Sequence, residues 1–170
     1  MLVPAILYKE EITRKIREKW HTKDAYNFTG GNFSNNDVLI RFVVLGSEGH
    51  FQYAVLDGEK LVGYFTYCID YKNKQANSFG LFNLTDKPSI VLMRDVNKEM
   101  KRLMENRWVH RISWWAFSEN PACRGYRKFC EDNGGEVIVI KDDHIGVDCY
   151  YHDSLIFQII IRRDYNDIGV

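Results

Sequence analysis

Asp57-Gly58 stands between two runs of β-forming residues, Phe51 to Leu56 and Leu61 to Asp70, and constrains the fold more than any other short stretch. Both turn residues tolerate positive φ, so the two runs fold back on each other as an antiparallel hairpin. Val38 to Leu45 reads as a strand before them, and Ser78 to Leu84 as one after them, beyond the polar turn Asn73 to Asn77. Three or four consecutive antiparallel strands are therefore expected.

Helical patterns flank this block. Ile6 to Tyr8 end a first short strand, and Lys9 to His21 then carry Ile12, Ile16 and Trp20 at four-residue steps, the stripe of an amphipathic helix. Tyr26 to Asp37, rich in Asn, Gly and Ser, has no period and reads as a surface loop. Pro88 opens a helix that runs to Asn106, with Met93, Val96, Met100 and Leu103 on one face. Trp108 to Phe117 sets Ile112, Trp114 and Ala116 against Ser113, Trp115 and Phe117. Apolar bulk on both sides predicts a central strand covered on two faces. Asn120-Pro121 starts a short helix with Cys123, Tyr126 and Cys130 on one side, ending at Gly134-Gly135. Val137 to Lys141 and Tyr150 to Arg162 close the chain as a hairpin around Asp142-Asp143.

Composition bounds the function. The chain has 170 residues, fits one domain over 1–170, and balances 23 basic against 23 acidic side chains. A net charge of zero removes the electrostatic footprint of a general nucleic-acid binder. No apolar run approaches the roughly 18 residues of a membrane span. The apolar start, without a basic leader, reads as structure. Cys68, Cys123, Cys130 and Cys149 form no C-x-x-C pair and suit reduced thiols in a cytoplasmic protein. An apolar strand such as Leu155 to Ile161, if exposed, is the surface through which two copies would pair as a homodimer.

The stretch Val109-His110-Arg111-Ile112-Ser113-Trp114-Trp115-Ala116-Phe117, followed by Ser118-Glu119-Asn120-Pro121-Ala122-Cys123-Arg124-Gly125-Tyr126 and Gly134-Gly135, resembles the later motifs of the Gcn5-related N-acetyltransferase superfamily. There a strand ending in Asn leads into a helix bearing Tyr and then a glycine. Tyr150 to Phe157 resembles the last strand of the branch that acetylates protein N-termini and small amines, and the Asp57-Gly58 hairpin into Leu61-Val62-Gly63 is similar to the superfamily's entry. The resemblance spans Val38 to Asp164. It implies an α/β fold, a mixed and mostly antiparallel sheet flanked by helices with a splayed central strand pair.

It also implies an acetyl-CoA-dependent N-acetyltransferase acting on a primary amine, either a small molecule or a peptide N-terminus. By resemblance the pantetheine arm lies against Phe82, Asn83 and Leu84, a backbone N–H there serves the carbonyl oxygen, and the phosphates sit over Asp86 to Ile90. Asn120 hydrogen-bonds the cosubstrate or caps its helix, and Tyr126 protonates the departing thiolate or faces the core. The phosphate loop departs from the family, because Thr85-Asp86-Lys87-Pro88-Ser89-Ile90 lacks the two small positions. Pro88 contributes no N–H, and Asp86 repels phosphate unless it caps the helix. Lys87 and Ser89 then compensate. A noncatalytic relative that binds a ligand or a protein is the competing reading. Arg124 and Lys128 reach toward an adenosine phosphate or form a solvated face, and Glu119, Asp70 and Asp153 are candidate bases on position alone. His144, Cys149 and His152 fall close together, but Cys149 and His152 alternate in direction along a strand, so no metal is expected.

Overall fold

The structure, a computed structural model, describes residues 1–20, 41–145 and 150–163. The strands are β1 (Leu2–Pro4), β2 (His50–Asp57), β3 (Lys60–Asp70), β4 (Gln75–Asn83), β5 (Arg111–Phe117), β6 (Glu136–Ile145) and β7 (Tyr151–Ile160). The helices are α1 (Lys9–Trp20), α2 (Ile90–Glu105) and α3 (Cys123–Asp132). All seven strands form one sheet in the order β1-β2-β3-β4-β5-β7-β6, antiparallel throughout except between β4 and β5. The expected α/β architecture is present.

The Asp-Gly hairpin forms one residue later than expected. Asp57 pairs with Lys60, which leaves Gly58 and Glu59 as the loop. Only Gly58 takes a positive φ, 60°, as the first central position of a II′ turn does. The first strand ends at Pro4, and Ala5–Tyr8 is a turn of 3-10 helix rather than strand. Residues 41–46 are not strand either; they lead through Gly46, at φ 82°, into a short helical turn before β2. The loop expected at Tyr26 to Asp37, the start of the strand expected from Val38, and Cys149 lie outside the described residues.

Both faces of the sheet gain a core. On one, Ile12 and Ile16 of α1 pack with Ala54, Leu56, Leu61, Tyr64 and Leu84. On the other, α2 contributes Leu92, Val96, Met100 and Leu103, and α3 contributes Cys123 and Cys130. Gly63 permits the close seating of α2, since a Cβ there would lie 2.5 Å from Leu92 Cδ1. α3 lies beside α2, with Met93 Cε 3.8 Å from where a Cβ on Gly125 would stand.

Four further expectations are corrected. Pro88 precedes α2 instead of opening it, and Ser89 is the cap, its Oγ accepting from Leu92 N–H at 3.2 Å. Asp142-Asp143 is not the final turn: β6 continues to Ile145, and between Ile140↔Ser154 and His144↔His152 it carries two more residues than β7. That bulge has Asp142 at φ 50°, with its N–H donating to Asp153 Oδ1 at 3.0 Å. β5 is central, with one face covered and the other covered in part: Trp114 and Ala116 are 8% and 7% exposed, and on the other side Phe117 is 5% exposed while Trp115 is 50% exposed. β7 lies between β5 and β6 with Leu155, Phe157 and Ile159 buried, so Leu155 to Ile161 is no exposed edge; the edge strand at this end of the sheet is β6.

Candidate active site

β4 and β5 run parallel side by side yet pair only at Gln75↔Arg111 and Ala76↔Ile112. A bulge follows at once, since β4 has one residue more than β3 between Thr66↔Gly80 and Cys68↔Asn77, and Ser78 within it has φ 55°. A bulge bends its strand and tightens the twist. β4 therefore leaves β5, and a gap opens toward the C-terminal ends of both.

Ladder alternation decides which backbone groups face the gap. Leu84 N–H donates to Val62 O at 3.0 Å, and Asn83 stands opposite Gly63. In such a ladder Phe82 and Leu84 direct their polar groups at β3, while Leu81 and Asn83 direct theirs at the gap. Of the stretch from Phe82 to Leu84, only Asn83 offers its N–H to a ligand there, with Leu81 as a second donor that sequence reading missed. Strand pairing alone carries that information.

The segment after β4 is tied together by the Asn83 side chain. Its Nδ2 donates to Lys87 O at 2.9 Å, and its Oδ1 accepts from Thr85 N–H at 3.1 Å and Thr85 Oγ1 at 2.7 Å. Met93 N–H to Ser89 O is the first backbone bond of α2, and Leu92 N–H is held by Ser89 Oγ. The N–H groups of Ile90 and Val91 thus precede the helical ladder at the positive end of the dipole. Ser89 acts through its cap. Ile90 is 85% exposed, and Lys87 is exposed beside it. Asp86 does not cap the helix. It faces Lys19 of α1, whose Nζ lies 3.9 Å from Asp86 Oδ1 and donates to Thr85 O at 2.5 Å. Lys19 is a second cation at this loop, and its sequence distance hid it.

Across the gap, Asn120 follows β5 and its Oδ1 accepts from Ala122 N–H at 2.9 Å, so it fastens the start of α3. The Tyr126 ring stands edge-on to Trp114, 6.3 Å between centroids, and to Phe157, 5.7 Å. It is a partly buried margin of the core, and among the described residues its hydroxyl makes no hydrogen bond. Burial, with a smaller push from Cys123, raises this hydroxyl above the ordinary tyrosine range, so it stays protonated.

Glu119 gains partners that the sequence did not reveal. Ser118 Oγ donates to Glu119 Oε1 at 2.7 Å, and His152 Nδ1 lies 3.3 Å from the same oxygen. Burial works against the Glu119 charge, but Ser118, a backbone N–H and His152 outweigh it and hold the carboxyl below the usual carboxylate range. The other candidate bases are engaged elsewhere, Asp70 with Asn73 and Asp153 with the β6 bulge. A groove of about 730 Å³ runs from Ser118 and Glu119 along α3 past Arg124, Arg127 and Lys128. Lys128 pairs there with Asp132 at 2.9 Å. Among the described residues no His, Cys, Asp and Glu cluster suits a metal, Cys68, Cys123 and Cys130 are free thiols, and no helix is long and apolar enough to cross a membrane.

No protein-family model matches the chain, and no curated protein matches it. Solved structures do. The microcin C7 self-immunity acetyltransferase MccE, in complex with acetyl-CoA and AMP, is similar at TM-score 0.69 and 16% identity, over 94% of this chain and 91% of its own. RimL, a ribosomal alpha-N-protein acetyltransferase in complex with coenzyme A, is similar at TM-score 0.65 and 13% identity, over 91% and 89%. The smu.2055 protein of Streptococcus mutans UA159 gives TM-score 0.67 and 14% identity, over 95% and 99%. At such identities the likeness is one of fold, and the fold of this chain, a mostly antiparallel sheet splayed between β4 and β5 with helices on its faces, is that of the Gcn5-related N-acetyltransferases.

Proposed function

We propose that the protein is an acetyl-CoA-dependent N-acetyltransferase acting on a primary amine, a small molecule or a peptide N-terminus. The observation that carries the reading is the gap after Ala76↔Ile112, which leaves the Leu81 and Asn83 polar groups facing no strand and sets the start of α2 at the end of β4. A pantetheine arm has amide groups that pair with such an edge, and a helix N-terminus suits pyrophosphate. The residues fit the cosubstrate: Leu81 and Asn83 would hold the arm, Ile90 and Val91 N–H with Lys87 and Lys19 the phosphates, and Asn120 and Tyr126 the far wall. Acetyl-CoA would supply an activated acetyl group. Asn83 N–H would stabilise charge on the carbonyl oxygen, and Tyr126, protonated, would donate to the thiolate. MccE and RimL, bound to acetyl-CoA and coenzyme A, support this reading.

One observation favours the second reading, a noncatalytic ligand- or protein-binding relative. Pro88 has no N–H and Ile90 is bulky where the family keeps small residues. Thermal unfolding with acetyl-CoA separates the two. At about one hundred times its dissociation constant the cosubstrate stabilises the native state by about 2.7 kcal/mol, a rise in Tm of roughly 5–10 °C. An unchanged Tm at saturating millimolar acetyl-CoA would leave the noncatalytic reading.

The phosphate contacts give a second expected result. Lys87 is exposed and makes no side-chain hydrogen bond among the described residues, so Lys87→Ala leaves stability nearly unchanged. Its loss should weaken acetyl-CoA binding by about 1 kcal/mol, roughly fivefold. Equal affinities of parent and variant in titration calorimetry would remove Lys87 from the phosphate site.

A further inference from the structure

β6 is an edge of the sheet, and among the described residues no strand pairs with its outer side. Which of its polar groups face outward follows from the ladders. Just past β7, Ile161 N–H donates to His110 O at 2.8 Å, and near its start Asp153 O accepts from Ser118 N–H at 2.9 Å. The odd-numbered residues between them therefore direct their polar groups at β5. Ser154, Ile156 and Gln158 bond Ile140, Ile138 and Glu136 of β6, and the N–H and C=O of Val137 and Val139 point away from the sheet. Proteins blunt such edges with lysine, proline, inward charge or a bulge. At the other edge β1 ends in Pro4, and the far part of β6 has its bulge at Asp142. Val137 to Ile140 carries none of these, and Ile138, Val139 and Ile140 are 42%, 47% and 37% exposed.

We propose that this stretch pairs with the same stretch of a second copy of the chain, antiparallel about a two-fold axis at Ile138, joining the two sheets into one. The self-match has a definite register. A two-fold axis normal to the sheet keeps like faces together, so opposed residues share the same parity. Centred on Ile138, it sets that residue against Ile138 of the second copy, and Val137 and Val139 exchange backbone bonds with Val139 and Val137 there. Lys141 of the second copy then comes opposite Gly135, whose N–H is held by Cys130 O at the last turn of α3. That turn also carries exposed Glu131, so the cation meets the negative end of a helix and an acidic side chain. Moving the axis to Val139 would set Glu136 against Asp142 in the bulge, and moving it to Val137 would leave Ile140 beyond the ladder. Trp115, Ile156 and Ile138 stand in one row across three strands, and the pairing continues this apolar row into its copy. A ladder this short falls below the roughly 800 Å² per partner of a standard interface, so the dimer forms at micromolar concentration. β6, and not Leu155 to Ile161 of β7, is the strand through which two copies meet.

Sedimentation velocity of the full chain from about 5 to about 500 µM should show a monomer–dimer equilibrium with a Kd of roughly 10–100 µM. Ile138→Glu and Ile138→Lys each set like charges face to face at the axis, where opposed side chains lie about 4.5–5.5 Å apart. Each should weaken the dimer by about tenfold or more. The Ile138 side chain is 42% exposed, so both variants should keep the parent's Tm within about 3 °C when dilute. An equimolar mixture of the two should associate at least as tightly as the parent, which a register shifted along the strand would not give. Hydrogen exchange reads the ladder itself. The Val137 and Val139 amides should slow by about threefold or more between the lowest and highest concentrations, while those of Ile138 and Ile140, bonded to β7, stay protected throughout. A parent that stays monomeric at about 500 µM, single variants that associate as tightly as the parent, a mixture no tighter than its components, or valine amides that exchange alike at both concentrations overturns the proposal. None of these readouts depends on acetyl-CoA or on turnover.

Discussion

Tyr126→Phe should lower kcat by about 10²–10⁴-fold, the usual cost of losing a positioned proton donor, while acetyl-CoA affinity stays within a few-fold. The ring carries the packing, edge-on to Trp114 and Phe157, and phenylalanine keeps it. The hydroxyl makes no hydrogen bond among the described residues, so its removal strands no partner and the fold should lose little. Burial raises the hydroxyl's pKa and keeps the proton in place at neutral pH. A raised pKa also makes it a reluctant acid toward solvent, but a departing thiolate would be a stronger base than water. The measurement is kcat with the amine held saturating, with a single-turnover experiment to show that chemistry limits the rate. An unchanged single-turnover rate would confine Tyr126 to packing.

What the sequence disclosed, and what it hid, follows from the range of the interactions. The hairpin at Asp57-Gly58, the stripes of α1 and α2 and the aromatic density of β5 are local patterns, and each element formed where its pattern lay. Turn details slipped where chemistry is degenerate: Asp-Gly serves a turn at either register, and Asp142-Asp143 suits a bulge as well as a loop. Ile6 to Tyr8 was apolar enough for a strand, but Pro4 precedes a 3-10 turn that buries Ala5. The candidate site was legible only as far as β4, Asn120 and Tyr126. Which N–H faces the gap depends on the β3–β4 register, Lys19 comes from a helix 66 residues from Thr85, and His152 meets Glu119 only through the β5–β7 ladder. None of these leaves a spacing in the chain. The α2 face shows the same limit, because the apolar stripe passes beside Glu99, a charged residue only 7% exposed.

Glu99→Ala should destabilise the fold by about 3–5 kcal/mol, as breaking a buried charged network does, and lower Tm by roughly 6–20 °C. Glu99 Oε1 accepts from the Tyr67 hydroxyl at 2.5 Å and the Tyr53 hydroxyl at 3.3 Å, and Arg102 Nη2 and Nε donate to its two oxygens at 2.6 and 2.8 Å. Tyr67 is 1% exposed and Tyr53 8% exposed, so neither hydroxyl reaches water when the carboxylate goes. Each buried hydroxyl left without an acceptor costs about 1–3 kcal/mol. The Arg102 side chain is 53% exposed, so its guanidinium returns to solvent at little cost and adds only a minor share. The asymmetry can be isolated. Adding Tyr53→Phe and Tyr67→Phe to Glu99→Leu removes the donors together with the acceptor, and the triple variant should recover most of what Glu99→Leu alone loses. Urea unfolding of the set reads the coupling directly. A loss below about 1 kcal/mol for Glu99→Ala, or a triple variant no more stable than Glu99→Leu, would mean that water already satisfies these hydroxyls and that the seat of α2 on β2 and β3 rests on its apolar side chains alone.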